Sequence, residues 1–254
     1  MAEQRPIYYF INGSVNLLVV DDDPRVLKIL NEKLAPLSLY SVKCAPDSRT
    51  AVELLESPER FHVCVADLGL KDKEDDEFYL LKRFHRHVSF VILTGASSPR
   101  KGFLAAKHGA KALMEKSGEL DYGSFVRMLN RYALLNIINP RYQAHGKDPL
   151  SVSTRVLFEK SPTFVTDWAL EMGVTDREIR HIWKRNLGAN AKIILFMYQL
   201  FRGAFTYYEH FLEPDFDGAD TAVPEDYRRR EEYYHCHRST ICDYIAFGNV
   251  VNFT

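Results

Sequence analysis

The sequence predicts an α/β fold, a doubly wound five-stranded parallel sheet, followed by an all-α helical domain. Two observations predict it. As far as about Tyr132, short apolar runs alternate with stretches whose apolar residues recur at helical spacing, and runs apolar on both faces suit a parallel sheet covered on both sides. From Leu150 to Leu212 the helical period continues with no strand-like run between.

The elements follow in order. VNLLVV over Val15–Val20 reads as a buried strand. Asp23 is placed to cap the next helix, with Pro24 at its first position, where a missing N–H costs nothing. Val26, Leu27, Leu30 and Leu34 form its apolar face. Leu39–Cys44 is the second strand and Ser48–Leu55 the second helix. Phe61–Ala66 is the third strand, and Phe78–Phe84 belongs to the third helix. Ser89–Leu93 is the fourth strand, with a helix around Lys101–Lys107. Lys111–Met114 is a short fifth strand, and a last helix starts near Leu120 and runs past Tyr132.

This divides the chain into an N-terminal extension (1–14), the sheet domain (15–135), a linker (136–150), a helical domain (151–212) and a C-terminal segment (213–254). The linker holds two prolines, a glycine and several polar residues without a period. In the last segment, 213–223 reads as an acidic loop, 225–237 as a charged, Tyr-rich helix, and Ile241 to Phe253 as an apolar run of no assigned type.

Composition bounds the function. Hydrophobic residues at 46% and charged residues at 26% describe a globular chain, and a net charge of -1 means that any nucleic-acid binding must rest on a local basic surface. No apolar run approaches the roughly 20 residues of a membrane span, and the N-terminus predicts no secretion signal. Four cysteines without framework spacing point to a reducing cytoplasm. Tyr233-Tyr234-His235-Cys236-His237 and Cys242 match no standard zinc spacing, so no metal site is expected there.

The strand ends carry the chemistry. In a doubly wound sheet the ligand site lies at the carboxyl ends of the strands. The first strand ends in Asp21, Asp22 and Asp23, the third at Asp67, the fourth at Thr94, and the fifth just before Lys116. Carboxylate oxygens suit Mg²⁺, which keeps waters and phosphate oxygens in its shell. An Asp carboxylate can attack phosphorus to form an acyl phosphate, whose other oxygens a hydroxyl and an ammonium can bind. Each Asp alone is an ordinary strand-end polar residue; the combination predicts the site.

VVDD, VADL, ILTGAS and a Lys at the fifth strand, at these intervals, resemble the receiver domain of two-component response regulators, over roughly residues 14–132. The resemblance implies a flavodoxin-like fold, Mg²⁺ held by Asp21, Asp22, Asp67 and the Gly69 carbonyl, phosphorylation of Asp67 by a sensor histidine kinase, and phosphate contacts from Thr94 and Lys116. It implies a signalling protein and not an enzyme. The chain departs from the family in LGLKDKEDDEF, which lacks the usual Met-Pro and Asp-Gly, in Leu113, where an aromatic is usual, and in Ser117, where proline is usual. The usual aromatic switch is therefore missing. Gly69 and Ala96, which border the phosphate in the family, offer no side chain to orient an attacking water.

In the helical half, FVTDWALEMGVTDREIRHIWKRNLG holds two helices around Gly173, with Thr175 and Glu178 at capping-box spacing. Ile179, Ile182 and Trp183 form the apolar face of the second, and Arg177, Arg180, His181, Lys184 and Arg185 lie mostly opposite. This is the helix-turn-helix pattern, with Arg177, Arg180, His181 and Lys184 as candidate DNA contacts. Ala169, Gly173, Thr175, Ile179, Trp183, Lys184 and Gly188 fall at intervals similar to one helix-turn-helix of the AraC family, with His181 where Arg is usual. The Ala191–Ala204 helix resembles that family's connecting helix. Its second motif is not legible after Phe205; ICDYIAFGNVVNF is too short for one.

The reading is a homodimeric response regulator controlling transcription through DNA, with no membrane partner. Two others stand beside it. One is a phosphorelay adaptor whose helical half binds a protein, favoured by the missing second motif and by Lys and Arg only slightly outnumbering Asp and Glu between Ser151 and Leu212. The other is a receiver used without phosphorylation for dimerisation, suggested by Leu113. The aromatic cluster at Phe205–Phe211 suits a core or a partner surface better than base stacking.

Overall fold

The structure is a computed structural model and describes residues 15–35, 40–70, 76–95, 97–116, 121–139, 141–142 and 146–210, with side chains from Leu200 onward described only for Arg202. The expected N-terminal extension, the acidic loop, the Tyr-rich helix, the His/Cys cluster and the apolar C-terminal run lie outside these residues. So do Ala96, Ser117 and the middle of the atypical loop after Leu70.

The chain divides into two compact units, with the boundary between Asn136 and Ile137. In the first, strands and helices alternate: β1 (Val15–Val20), α1 (Pro24–Leu34), β2 (Tyr40–Ala45), α2 (Ser48–Glu56), β3 (Val63–Ala66), α3 (Tyr79–Phe84), β4 (Ser89–Thr94), α4 (Pro99–Lys107), β5 (Ala112–Glu115) and α5 (Tyr122–Ile138). All neighbouring strands are parallel, in the order β2-β1-β3-β4-β5. This is the flavodoxin-like order, whose connections reverse direction between β1 and β3.

The sequence explains the sheet. β1, β3 and β4 are almost wholly buried, as strands covered by helices on both faces must be. Leu18, Cys64, Phe90 and Ile92 share one core cluster with Phe78, Leu81 and Phe84 around α3. Asp23 accepts from the Arg25 N–H and caps α1, with Pro24 following, as expected. α5 carries on through Asn136 to Ile138, so the irregular stretch begins at Asn139.

The second unit is helical: α6 (Pro149–Lys160), α7 (Val165–Met172), α8 (Asp176–Leu187) and α9 (Ala191–His210). α6, α7 and α8 pack on one another. Trp168 and Trp183 are fully buried with ring centroids 5.3 Å apart. Both indoles donate to one residue, Trp168 Nε1 to the Ser153 carbonyl (3.0 Å) and Trp183 Nε1 to Ser153 Oγ (2.9 Å).

Candidate functional site

The backbone ladder places the acidic site. Beyond the ends of the strands, the Asp21 N–H donates to the Ala45 carbonyl (3.1 Å), the Asp67 N–H to Val20 (3.0 Å) and the Lys116 N–H to Thr94 (2.8 Å). Each residue is thus held by the neighbouring strand at the carboxyl edge, Asp21 and Asp67 beside the β1/β3 reversal and Lys116 at the end of the outer strand β5. One ligand atom from each of Asp21, Asp22 and Asp67 lies within 4.8 Å of the others.

Lys116 ties the cluster together. Its Nζ lies 2.5 Å from Asp21 Oδ2 and 2.9 Å from Asp67 Oδ2. The Asp21 and Asp67 side chains are 3% and 10% exposed, so these charges have little water around them. Burial pushes the Asp21 carboxyl up, against the bonds it accepts from Lys116 and from the Asp23 N–H. Burial alone would lower the Lys116 ammonium, but bonds to both carboxylates and their charges outweigh it and hold the ammonium above its ordinary range. Asp23 stands apart. It pairs with Arg25 at 2.7 Å, which holds its carboxyl down at about 2, and it takes no part in the cluster.

The three carboxylates fit a hard divalent cation. Their donors are all oxygen, and Asp67 Oδ1 is buried with no hydrogen-bond partner among the described residues. Thr94 is buried at the end of β4. Gly69 is exposed, and a Cβ built on it would stand 3.1 Å from Asp67 Oδ2, so the approach to that oxygen is open because the residue is glycine. Leu113 is half-buried in β5.

The helical unit brings the other candidates onto one helix. Gly173 (φ 67°) ends α7 in the left-handed conformation, and Gly188 (φ 65°) ends α8 likewise. Thr175 caps α8: Glu178 N–H donates to its Oγ1 (3.3 Å), and Thr175 N–H donates to Glu178 Oε2 (2.7 Å). The bonds that Glu178 Oε2 accepts from the Thr175 N–H and from the Thr175 hydroxyl (2.8 Å) hold its carboxyl below the usual range. Ile179, Trp183 and Leu187 are buried, while Arg177, Arg180, His181 and Lys184 are exposed. At about 100° per residue, these four share an arc of roughly 100°. Arg177 and His181 hold no hydrogen bond or ion pair among the described residues, whereas Lys184 reaches the Gly188 carbonyl at 3.4 Å.

Sequence reasoning missed two contacts. Lys116 bridges Asp21 as well as Asp67, which no linear spacing announces. Asp176 pairs with Arg180 through Oδ2 (Nε 3.0 Å, Nη2 2.8 Å), a contact that the i,i+4 spacing could have suggested.

No protein-family model matches the chain, and no curated protein matches it. The solved structures it is similar to include response-regulator receiver domains. A response regulator from Burkholderia pseudomallei, solved with a phosphorylated aspartic acid, calcium ion and citrate, is 22% identical, with a TM-score of 0.41 over 64% of this chain and 95% of that one. RcsB from Salmonella enterica serovar Typhimurium, bound to promoter rprA with phosphomimetic BeF3-, is 22% identical, with a TM-score of 0.40 over 73% and 98%. The non-phosphorylated HemR receiver domain from Leptospira biflexa is 26% identical, with a TM-score of 0.41 over 47% and 94%.

Proposed function

We propose that the chain is a response regulator, phosphorylated on Asp67 by a sensor histidine kinase, with α7 and α8 as an AraC-like helix-turn-helix that reads DNA. One observation carries the first half: Asp21, Asp22 and Asp67 gather at the strand ends, an ammonium pairs with Asp21 and Asp67, and one buried Asp67 oxygen is unpartnered among the described residues. An Asp67 oxygen attacks phosphorus, the P–N bond to the kinase imidazole breaks, and the nitrogen keeps the electron pair. Asp21, Asp22, Asp67 and the Gly69 carbonyl would hold Mg²⁺, which supplies positive charge against the transferring group. Lys116 and Thr94 then bind phosphoryl oxygens.

For the second half, Arg177, Arg180 and His181 are long exposed donors on one face of a capped helix, suited to base edges, and Lys184 suits a phosphate. A homodimer would present two such helices to two half-sites. No helix among the described residues is long and apolar enough to cross a membrane.

The test is incubation with acetyl phosphate and Mg²⁺, read by mass spectrometry. The wild type should gain one phosphoryl group, and Asp67→Asn or chelator-treated protein should gain none. Unchanged mass in the wild type, or equal labelling of Asp67→Asn, would sink the assignment.

A second reading, a protein-binding adaptor, is favoured by Phe164 and Leu170, large apolar side chains 65% and 80% exposed beside and on α7. Salt separates the two, since DNA affinity falls linearly with log salt as phosphates are neutralised. An affinity for DNA that is absent or flat with salt favours the adaptor.

A further inference from the structure

Asp176 stands in the first turn of α8, where an acid favours the helix, and it also binds Arg180. Thr175, not Asp176, caps α8. Asp176 Oδ1 is buried with no hydrogen-bond partner among the described residues, and Oδ2 takes both Nε and Nη2 of Arg180. The guanidinium is a rigid planar fork. With its Nε/Nη2 edge spent on Asp176, the other edge, Nη1 and Nη2, stays available as a parallel pair of donors. That pair is what guanine O6 and N7 accept in the major groove.

The pairing differs from its neighbours on the same arc. Arg177 and His181 have no such partner among the described residues. Lys184 is a point charge at the C-terminal end of the helix, near the Gly188 carbonyl. Of these four, Arg180 is the one whose guanidinium a carboxylate already orients before any nucleic acid arrives. An orientation fixed in advance loses less side-chain entropy on binding. Because a carboxylate beside the groove repels phosphates, it can raise discrimination between bases without raising general affinity.

We propose that Asp176 is a positioning residue for base recognition: it fixes Arg180 so that its outer edge reads one guanine, and it thereby sets sequence preference at a single position of the site. The proposal rests on the DNA-reading function of α8 given above.

The experiment selects binding sites from random duplex DNA with the full chain and its Asp176→Ala, Arg180→Ala and double variants. The wild type should enrich a guanine at one position that Arg180→Ala loses. Asp176→Ala should weaken that same preference by about three- to tenfold, within the range of one bidentate contact, and leave the other positions unchanged. In the Arg180→Ala background, Asp176→Ala should change nothing there, a result that mere helix stabilisation would not produce. Circular dichroism should show Asp176→Ala folded, with only the small loss of melting temperature that removing one first-turn acid brings. The inference is overturned if Asp176→Ala shifts all positions alike, shifts none, or keeps its effect without Arg180. If the wild type enriches no sequence at all, the DNA-reading function falls and the inference falls with it, an outcome distinct from the other three.

Discussion

In the sheet unit, Lys116 at the end of β5 reaches carboxylates delivered by β1 and β3, across long stretches of chain, in a place nearly closed to water. In the helical unit, Arg180 reaches a carboxylate one turn back on its own helix, with both side chains well exposed at 48% and 37%. Both are ion pairs of similar length. The first depends on the whole sheet being assembled and is screened by little solvent; the second exists wherever the helix does and is surrounded by water. Charge that is costly to gather points to a site, and charge that is cheap to place acquires meaning only from a partner.

The largest effect expected from this contrast is at Lys116. Removing one partner of a buried pair leaves the others uncompensated, which costs about 3 kcal/mol. Lys116→Ala should therefore lower stability by about that amount without metal. Added Mg²⁺ should raise its melting temperature more than it raises the wild type's, because the carboxylates no longer share an ammonium. Chemical denaturation with and without Mg²⁺ checks both. Loss below about 1 kcal/mol would mean that the pair is weak and the contrast empty.

A second buried group sharpens the comparison within the sheet unit. His62 lies just before β3, at the edge opposite the acidic cluster. Its Nδ1 accepts the Asn16 N–H at 2.9 Å, and Nε2 is buried with no hydrogen-bond partner among the described residues. Burial first, and then the Arg60 charge, hold its pKa down at about 3, from an ordinary 6.5. The folded chain keeps this imidazole neutral while the unfolded chain protonates it, so between these values the unfolded state binds one more proton. Stability from this group is whole above pH 6.5 and falls as the pH drops, by about 2 kcal/mol at pH 5. His62→Asn, which keeps an acceptor for Asn16, should flatten the stability profile between pH 7 and 5 by that amount. Parallel wild-type and variant profiles would show that His62 takes up its proton without unfolding.

The helical unit has its own buried polar centre, and the expected effect there is smaller. Ser153→Ala removes the acceptor of the Trp183 indole and leaves the Trp168 bond to the Ser153 carbonyl intact. One unsatisfied buried N–H costs about 1–2 kcal/mol. Denaturation followed by tryptophan fluorescence measures it, and no change would mean that the indole finds another acceptor.

The same contrast explains what could be read in advance. The parallel sheet and its acidic edge were legible because Asp21, Asp67 and Lys116 each stand at or just past the end of an apolar run, and a parallel sheet must bring such ends to one edge. The partners within the cluster were not legible: which carboxylate Lys116 reaches depends on side-chain geometry, and it reaches two. Asn136 reads as the start of a linker because the stretch from there to Pro149 holds two prolines, a glycine and polar residues without a period. It stays helical because its amide donates to the His87 carbonyl (3.3 Å) and its Oδ1 and carbonyl accept from Arg60. Tertiary hydrogen bonds overrode local preference there. In the helical unit Thr175, Glu178 and the two glycines were legible because caps are local, and for the same reason the exposed face says least about its partner.

The smallest effect on stability, and the sharpest test of the comparison, is expected on that face. Arg177→Ala and Lys184→Ala each remove an exposed charge that supports no buried group, so each should change stability by less than about 0.5 kcal/mol. Their effects on DNA should differ in kind. Arg177, placed for a base edge, should cost about 1–3 kcal/mol on a preferred site and relax preference at one position when removed. Lys184, placed for a phosphate, should weaken all sequences alike, and its loss should reduce the salt slope by about one. Binding titrations on a preferred and a scrambled duplex at several salt concentrations separate the two. If Arg177→Ala weakens both duplexes equally, its guanidinium touches phosphate and not a base edge. If neither variant alters binding while Phe164→Ala or Leu170→Ala disrupts a protein complex, the exposed apolar residues of the helical unit carry the output, and its charges serve only to keep the surface in water.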